Sequence, residues 1–502
     1  MNLRGAVNMV VKDRLGRQIA LLAATAALSA AGAEWHVNHE WGDDDWQGTA
    51  ERPFKTFKHA LAKLRGGDTL HVQKTKTPYT ERFGELGTRA KGHPYDGTPE
   101  QPTVIEGHGA ELTSLTRMGA AAWEQMPDGT WRTKPHHNVV VMGGAGHYNA
   151  FPFLFLDRDG RRTPFRPADE RSALLPMEMY WSFKWNQDAA GRRTRDDDYG
   201  SLYIRLPEGL TPANCDLLMP HAGNLTVGAD NVVVRDLNFS WATADCIDTY
   251  LGTGIVFENL EATDCLDQNI SAHATAGLAV RWSHFARALA GCVYDVPYDM
   301  TRPCDVRYEG CLVEEGSMGF KGNPFSCFRA DSCVFRKNGR KADVYGQWDA
   351  SVTVSNCLMY GESDADCGAC FASNDNAAFT VRNCTAVGRR TAFQYVASTA
   401  RVDVAYCDFG DAGEVLSVVT YNGRFPLPPP GTVRFRHCRF PKTAACSLDG
   451  RTVDLETLRE KGFVFEDCTL GGARRRGVGS TLADRLPAEA WTKEHLRKEL
   501  NR

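Results

Sequence analysis

An excess of either charge sign is the first thing this 502-residue sequence lacks. Its 58 Lys and Arg nearly balance 62 Asp and Glu, for a formal net charge of −4. A chain without a concentrated positive field is poorly suited to nucleic acid, and the Arg474 to Arg476 triplet reads as a solvated loop. Phosphate-loop and dinucleotide fingerprints are also missing, so no nucleotide cofactor is expected. The apolar run from Ile19 to Ala31 falls short of the roughly 20 residues a membrane-spanning helix needs. Cys367-x-x-Cys370 has no second pair at metal-ligand spacing, which argues against a structural zinc site.

What the sequence does have is a repeat. Ten segments share one spelling: apolar, any, apolar, two polar or variable residues, a small buried type, any, apolar. They begin with Val232/Val234/Leu237/Phe239, run through copies such as Val352/Val354/Cys357/Met359, and end with Phe463/Phe465/Cys468/Leu470. Successive small-residue positions lie 22 to 31 residues apart, a period that means a solenoid. Alternation of period two marks strands with one buried face, and Asn, Asp and Gly between copies mark turns. Each copy reads as one short strand of a coil. Coils must stack at about 4.8 Å to bury their apolar faces, so ten of them predict a rod of about 45 Å.

Lys12, Arg14 and Arg17 precede the Ile19 to Ala31 run, and Ala31-Gly32-Ala33 follows it. This is the layout of a secretory signal peptide spanning 1–33, so export to the outside, the periplasm or the cell surface is expected. Sixteen cysteines in an exported chain usually mean disulfides. Here seven of them, Cys311, Cys333, Cys357, Cys384, Cys407, Cys438 and Cys468, hold one repeat position. They read as stacked buried thiols, because parallel Cβ vectors suit the bond poorly. Cys292 with Cys304, or Cys367 with Cys370, remain alternatives for a bridge.

Residues 34–118 read as an N-terminal cap and first coils. Behind the N-cap Thr56, Phe57, Ala60, Leu61 and Leu64 fall at helical spacing, giving a short helix to close the open end. Thr69-Leu70-His71-Val72 and Thr103-Val104-Ile105 read as early strands. Residues 119–221 break the repeat and carry Trp123, Trp131, Trp181 and Trp185, which predicts a small β-rich insertion rather than a bare loop. Residues 222–473 form the main solenoid. The tail, 474–502, carries a short amphipathic helix expected to pack on the last coil. Capped ends favour a monomer.

The opening from Gly48-Thr49 through Gly67-Asp68-Thr69 to Tyr79-Thr80-Glu81, with the repeats behind it, resembles secreted right-handed parallel β-helix proteins of the pectate-lyase-like fold. That resemblance implies an all-β solenoid, common among carbohydrate-active enzymes.

Aligning the turns coil by coil gives an inward column of Ile247, Ile270, Phe320, Val344 and Phe371. The next residues point outward: Asp248, Ser271, Lys321, Tyr345 and Ala372, with Tyr294 a looser member. Two residues on come Tyr250, His273, Asn323, Gln347 and Asn374, with Trp348 beside them. Such a stripe of charged, phenolic and amide groups suits a sugar chain. Asp245-Cys246-Ile247-Asp248 and Asp264-Cys265-Leu266-Asp267 repeat one spelling a coil apart. Four carboxylates so gathered, Asp245, Asp248, Asp264 and Asp267, predict a hard cation such as calcium.

Asp245-x-x-Asp248 followed by Gly319-Phe320-Lys321 resembles the family-nine pectate lyases. The resemblance implies calcium ligation by Asp245 and Asp248 and proton removal beside a uronate carboxylate by Lys321. Those lyases have an aspartate where this chain has Ala244. A second expectation is hydrolysis, with Asp295 and Asp299 as the carboxylate pair and His273 as a further acid or sugar-binding group. A third is a solenoid that only binds carbohydrate or serves as a surface scaffold.

Overall fold

A computed structural model describes residues 32–87, 92–134, 153–158, 160–182, 185–187, 193–195, 198, 200–220, 223–296, 304–339, 341–361, 368–396 and 398–500. The expected leader up to residue 31, Asp299 and Cys367 lie outside the described residues. The chain is a parallel β-helix. Nearly every strand of the solenoid pairs in parallel with its equivalent in the next coil, in a folded 22-stranded sheet and a 12-stranded sheet.

Each repeat is two strands rather than the single strand its spelling suggests. Val256–Glu258 is followed by Glu261–Cys265, and Cys327–Asp331 by Val334–Arg336. Between them stands one left-handed residue per coil, including Asn259 (φ 52°), Asn356 (φ 56°), Asn383 (φ 50°) and Asp467 (φ 51°). Asn and Asp enter that region at the lowest cost among side chains with a Cβ. The bend turns the strand direction, so one apolar repeat covers two walls of the coil. A third strand, such as Ile247–Tyr250, completes the coil in the 12-stranded sheet.

The bend also explains the cysteine column. A thiol there donates to the carbonyl two residues earlier, beside the bend: Cys357 Sγ to Ser355 O at 3.1 Å, Cys384 to Arg382 O at 3.3 Å, Cys407 to Ala405 O at 3.3 Å. Ser283 fills the same slot with the same bond, Oγ to Arg281 O at 2.9 Å. A small apolar side chain with one weak donor fits both the interior and that carbonyl. All seven ladder cysteines are free thiols.

The disulfide falls elsewhere. Among the described residues Cys292 and Cys304 are free thiols, whereas Cys246 and Cys265 are bonded across a separation of 19 residues. The coil repeat at this point is 23 residues, as the Gln268 N to Asp245 Oδ1 bond shows. The two Asp-Cys-x-Asp spellings are therefore out of phase, and the bond joins unequal positions of adjoining coils.

The capping helix is Phe57–Lys63, with the Thr56 side chain accepting from His59 N and with Phe57, Ala60 and Leu61 buried. The insertion is β-rich, built of sheets of five, four and two strands. Its own core of Trp123, Phe153, Trp181, Leu202, Ile204 and Leu217 includes Leu266 from the solenoid. The tail departs from expectation. Its helix, Lys493–Leu500, does not sit on the last coil. Trp491 and Leu496 pack against Leu312, Val334 and Leu358 on the outer wall of the middle coils, and Lys493 Nζ lies 3.5 Å from Glu261. The far end is covered instead by the short helix Leu455–Glu460, whose Leu458 is fully buried in the main core. No helix among the described residues is long and apolar enough to cross a membrane.

Candidate active site

The 12-stranded sheet sets the register of the candidate residues. Asp248 pairs with Ser271, Ser271 with Tyr294, Tyr294 with Lys321, Lys321 with Tyr345 and Tyr345 with Ala372. Tyr294 is thus a full member of the outward column. The column continues through Gln394, Ser417 and Ser447 into a groove of about 450 Å³ that Lys341, Arg390 and Glu414 also line. The inward column holds as read, with Ile247, Ile270, Phe320, Val344 and Phe371 all fully buried.

At one end lies a carboxylate cluster. One oxygen each from Asp245 and Asp248 and one ring nitrogen of His273 lie within 4.8 Å of one another. Asp245 Oδ1 accepts from Gln268 N at 2.9 Å, and the Gln268 side chain donates to Asp267. Burial, then the Asp248 and Asp267 charges, push the Asp245 carboxyl well above the usual carboxylate range. Burial and Asp248 push Asp267 up to about 7, while Lys321 works in the opposite sense. Asp248 Oδ1 is enclosed between the Asp245 carboxyl and the His273 ring. Carboxyls gathered this closely away from water are costly unless a proton or a cation meets them. Asp245 and Asp248 offer hard oxygen donors of the type that hold calcium, with the Asp267 carboxyl as a neighbouring charge.

His273 is oriented from three sides. Its Nε2 lies 2.9 Å from Ser271 Oγ and 3.5 Å from Asp248 Oδ1, and its ring stacks on Tyr250 with centroids 4.5 Å apart. Ser271 is only 1 % exposed, so its hydroxyl serves His273 rather than a ligand.

Lys321 stands three rungs from Asp248, about 14 Å along the wall at the backbone. Its ammonium lies 4.6 Å from the centre of the Tyr294 ring. Burial and then Lys341 lower its pKa to about 8. Tyr294 is tied down by its hydroxyl, which donates to Ala290 O at 2.7 Å. Tyr345 accepts from Asn374 Nδ2 at 2.9 Å. Trp348, 51 % exposed, offers an open ring face.

Three expectations are corrected by the geometry. Asp264 is not in the cluster. It holds a left-handed corner (φ 61°) and pairs with Arg287 one coil on, Nε to Oδ1 at 2.6 Å and Nη2 to Oδ2 at 2.9 Å. The frame offset between the two spellings puts it there. Asp295 faces inward opposite Ala272, is fully buried, and accepts from the Tyr308 hydroxyl at 2.8 Å. Burial pushes its pKa up to about 7, but no polysaccharide reaches it. Asn323 and Gln347 are buried and bond each other, Nε2 to Oδ1 at 2.6 Å, so they shape the turn instead of meeting a sugar. Sequence reading missed Gln268, which ties Asp245 to Asp267. Its position after Asp267 in a turn was the available signal.

No family model matches this sequence, and no curated protein does. Solved structures resemble it in backbone alone. A glycoside hydrolase superimposes with a TM-score of 0.51 at 10 % identity, over 90 % of this chain and 100 % of that one. The GH136 lacto-N-biosidase from Eubacterium ramulus gives 0.44 at 11 % identity, over 94 % and 72 % of the two chains. Pectate lyase Pel9A gives 0.42 at 10 % identity, over 91 % and 84 %. Likeness at this identity speaks to fold and not to chemistry.

Proposed function

We propose that this protein is an exported enzyme that cleaves a uronate-containing polysaccharide by β-elimination along the outward column of the 12-stranded sheet. One observation carries the reading. A half-buried carboxylate cluster, in which crowding raises the Asp245 and Asp267 carboxyls, and a lysine with its pKa lowered to about 8 share one wall. The named neighbours, a glycoside hydrolase and a pectate lyase among them, fit a polysaccharide substrate.

In this reading Asp245 and Asp248 would hold calcium, with Asp267 beside them. Bound there, the cation would neutralise the uronate carboxylate and acidify the adjoining C–H. Neutral Lys321 takes that proton, the C–H electron pair becomes the new C=C bond, the glycosidic C–O bond breaks, and its oxygen gains a proton from water. Lys321 lies two coils beyond Asp267, near enough for each charge to act on the other group. Tyr294 beneath it and Tyr345 beyond it offer ring faces to neighbouring sugars.

Hydrolysis is the second reading. The observation favouring it is that burial and neighbouring charge raise two carboxyls, Asp267 to about 7 and Asp245 well above the usual carboxylate range, in one cluster with Asp248. A carboxyl kept toward its neutral form can serve as the general acid beside a second carboxyl, which moves the hydrolytic pair from Asp295 and Asp299 to the cluster.

Incubation with pectic, alginate and neutral polysaccharides tests both. Elimination gives the ultraviolet absorbance of an unsaturated uronide, abolished by chelator and by Lys321→Ala. New reducing ends without that absorbance, surviving Lys321→Ala but not Asp248→Asn, point to hydrolysis. Binding without product favours a scaffold.

A further inference from the structure

A second cluster of ligating side chains lies on the outer wall of the first coils, in the 22-stranded sheet and away from the column just described. Glu34 and His36 belong to the strand Glu34–Val37, and His71 to Thr69–Val72. Register places His36 directly beside His71, and the rings stack with centroids 4.5 Å apart and 14° between planes. His108, on the third coil, continues the stack 5.2 Å beyond His71. It stands at a left-handed position (φ 52°), a conformation in which histidine is enriched over most residues. His71 is the hub, with Nε2 2.5 Å from Glu34 Oε2 and Nδ1 2.9 Å from His108 Nε2. One ligand atom each from Glu34, His36 and His71 lie within 4.8 Å of one another.

We propose that Glu34, His36 and His71 form a binding site for a divalent transition metal, with His108 as the supporting neighbour. Imidazole nitrogens with one carboxylate oxygen suit zinc, nickel or copper, whereas calcium takes oxygen donors. His71 keeps its second nitrogen on His108, the outer contact that fixes a ligating ring. A bound metal joins the first strand to the second coil through side chains from both, and thereby clamps the start of the solenoid.

The test uses tag-free full-length protein titrated with zinc chloride, and separately with calcium chloride, by calorimetry and by thermal melting. The expected result is one zinc site that raises the melting temperature. His71→Gln and His36→Gln should each weaken zinc affinity at least tenfold, while Asp248→Asn leaves it unchanged and calcium does not compete. Circular dichroism of each variant guards against misfolding, and anomalous scattering at the zinc edge locates the ion. Absence of zinc binding, or zinc lost in Asp248→Asn but kept in both histidine variants, overturns the proposal. Activity on polysaccharide should be unchanged in His71→Gln, so this site and the proposed catalytic wall fail independently.

Discussion

Asp295→Asn should stabilise this protein above neutral pH while leaving its activity intact. The Asp295 carboxyl is fully buried and has its pKa raised to about 7 from an ordinary 3.8. Its raised value means the folded state prefers the neutral acid. That group's contribution to stability is therefore fully present below pH about 4, declines as pH rises to about 7, and is level above. The decline amounts to the order of 4 kcal/mol at 1.36 kcal/mol per pH unit. Asparagine keeps an acceptor for the Tyr308 hydroxyl and never ionises, so it escapes this cost. With about 2.1 cal/mol/K per residue over the roughly 470 residues that follow the expected leader, the gain at pH 8 is up to about 4 °C in melting temperature, vanishing near pH 4. Calorimetric scans of both proteins from pH 4 to pH 9 measure it. A variant less stable than wild type at pH 8, or a difference that does not change with pH, refutes the argument. Loss of turnover in a folded variant would return Asp295 to the chemistry.

Other outcomes follow from the same geometry. Lys321→Ala should lower turnover by about 10² to 10⁴-fold, the usual range for a general base, with oligosaccharide affinity kept; in wild type the rate should climb with pH through about 8 as Lys321 loses its proton. Calcium removal by chelator should abolish activity, and Asp248→Asn should raise the calcium needed for half-maximal rate at least tenfold in a calcium titration. Reduction of the Cys246–Cys265 bridge should cost about 3 kcal/mol, as expected for a loop near 20 residues, seen as a lower melting temperature in reductant. In the ladder, Cys357→Ser should cost less than Cys357→Ala, because Ser283 shows that a hydroxyl can serve the bend carbonyl in that slot; parallel melts decide it.

The solenoid and its outward column were legible in the sequence because they depend on periodicity. A one-residue slip would move Ile247, Ile270 and Phe320 from core to surface, so register is strongly fixed and the pairing of Asp248 with Ser271 follows. The bend was not legible, since left-handed residues at that point include Trp282, Tyr406 and His437 as well as Asn and Asp. Asp264 was misplaced because identical spelling suggested equivalence, while strand pairing obeys coil length. Asp295 was misread because turn residues alternate in and out, and its inward place opposite Ala272 depends on a register that the unrepeated Tyr294 segment did not declare. The tail could not be placed, since an amphipathic stripe says that a helix is covered but not by which coil.

Everything proposed for this protein requires that a polysaccharide lie along the outward wall from Asp248 to Ser447. The most direct measurement is a structure of Lys321→Ala protein with a bound uronate oligosaccharide and calcium. The predicted result is a sugar chain running along the coils, a carboxylate beside Asp245, Asp248 and Asp267, and ring faces on Tyr294 or Trp348. A chain seated instead in the insertion's cavity, between Asp128, Arg171, Tyr180 and Asp198, would contradict it.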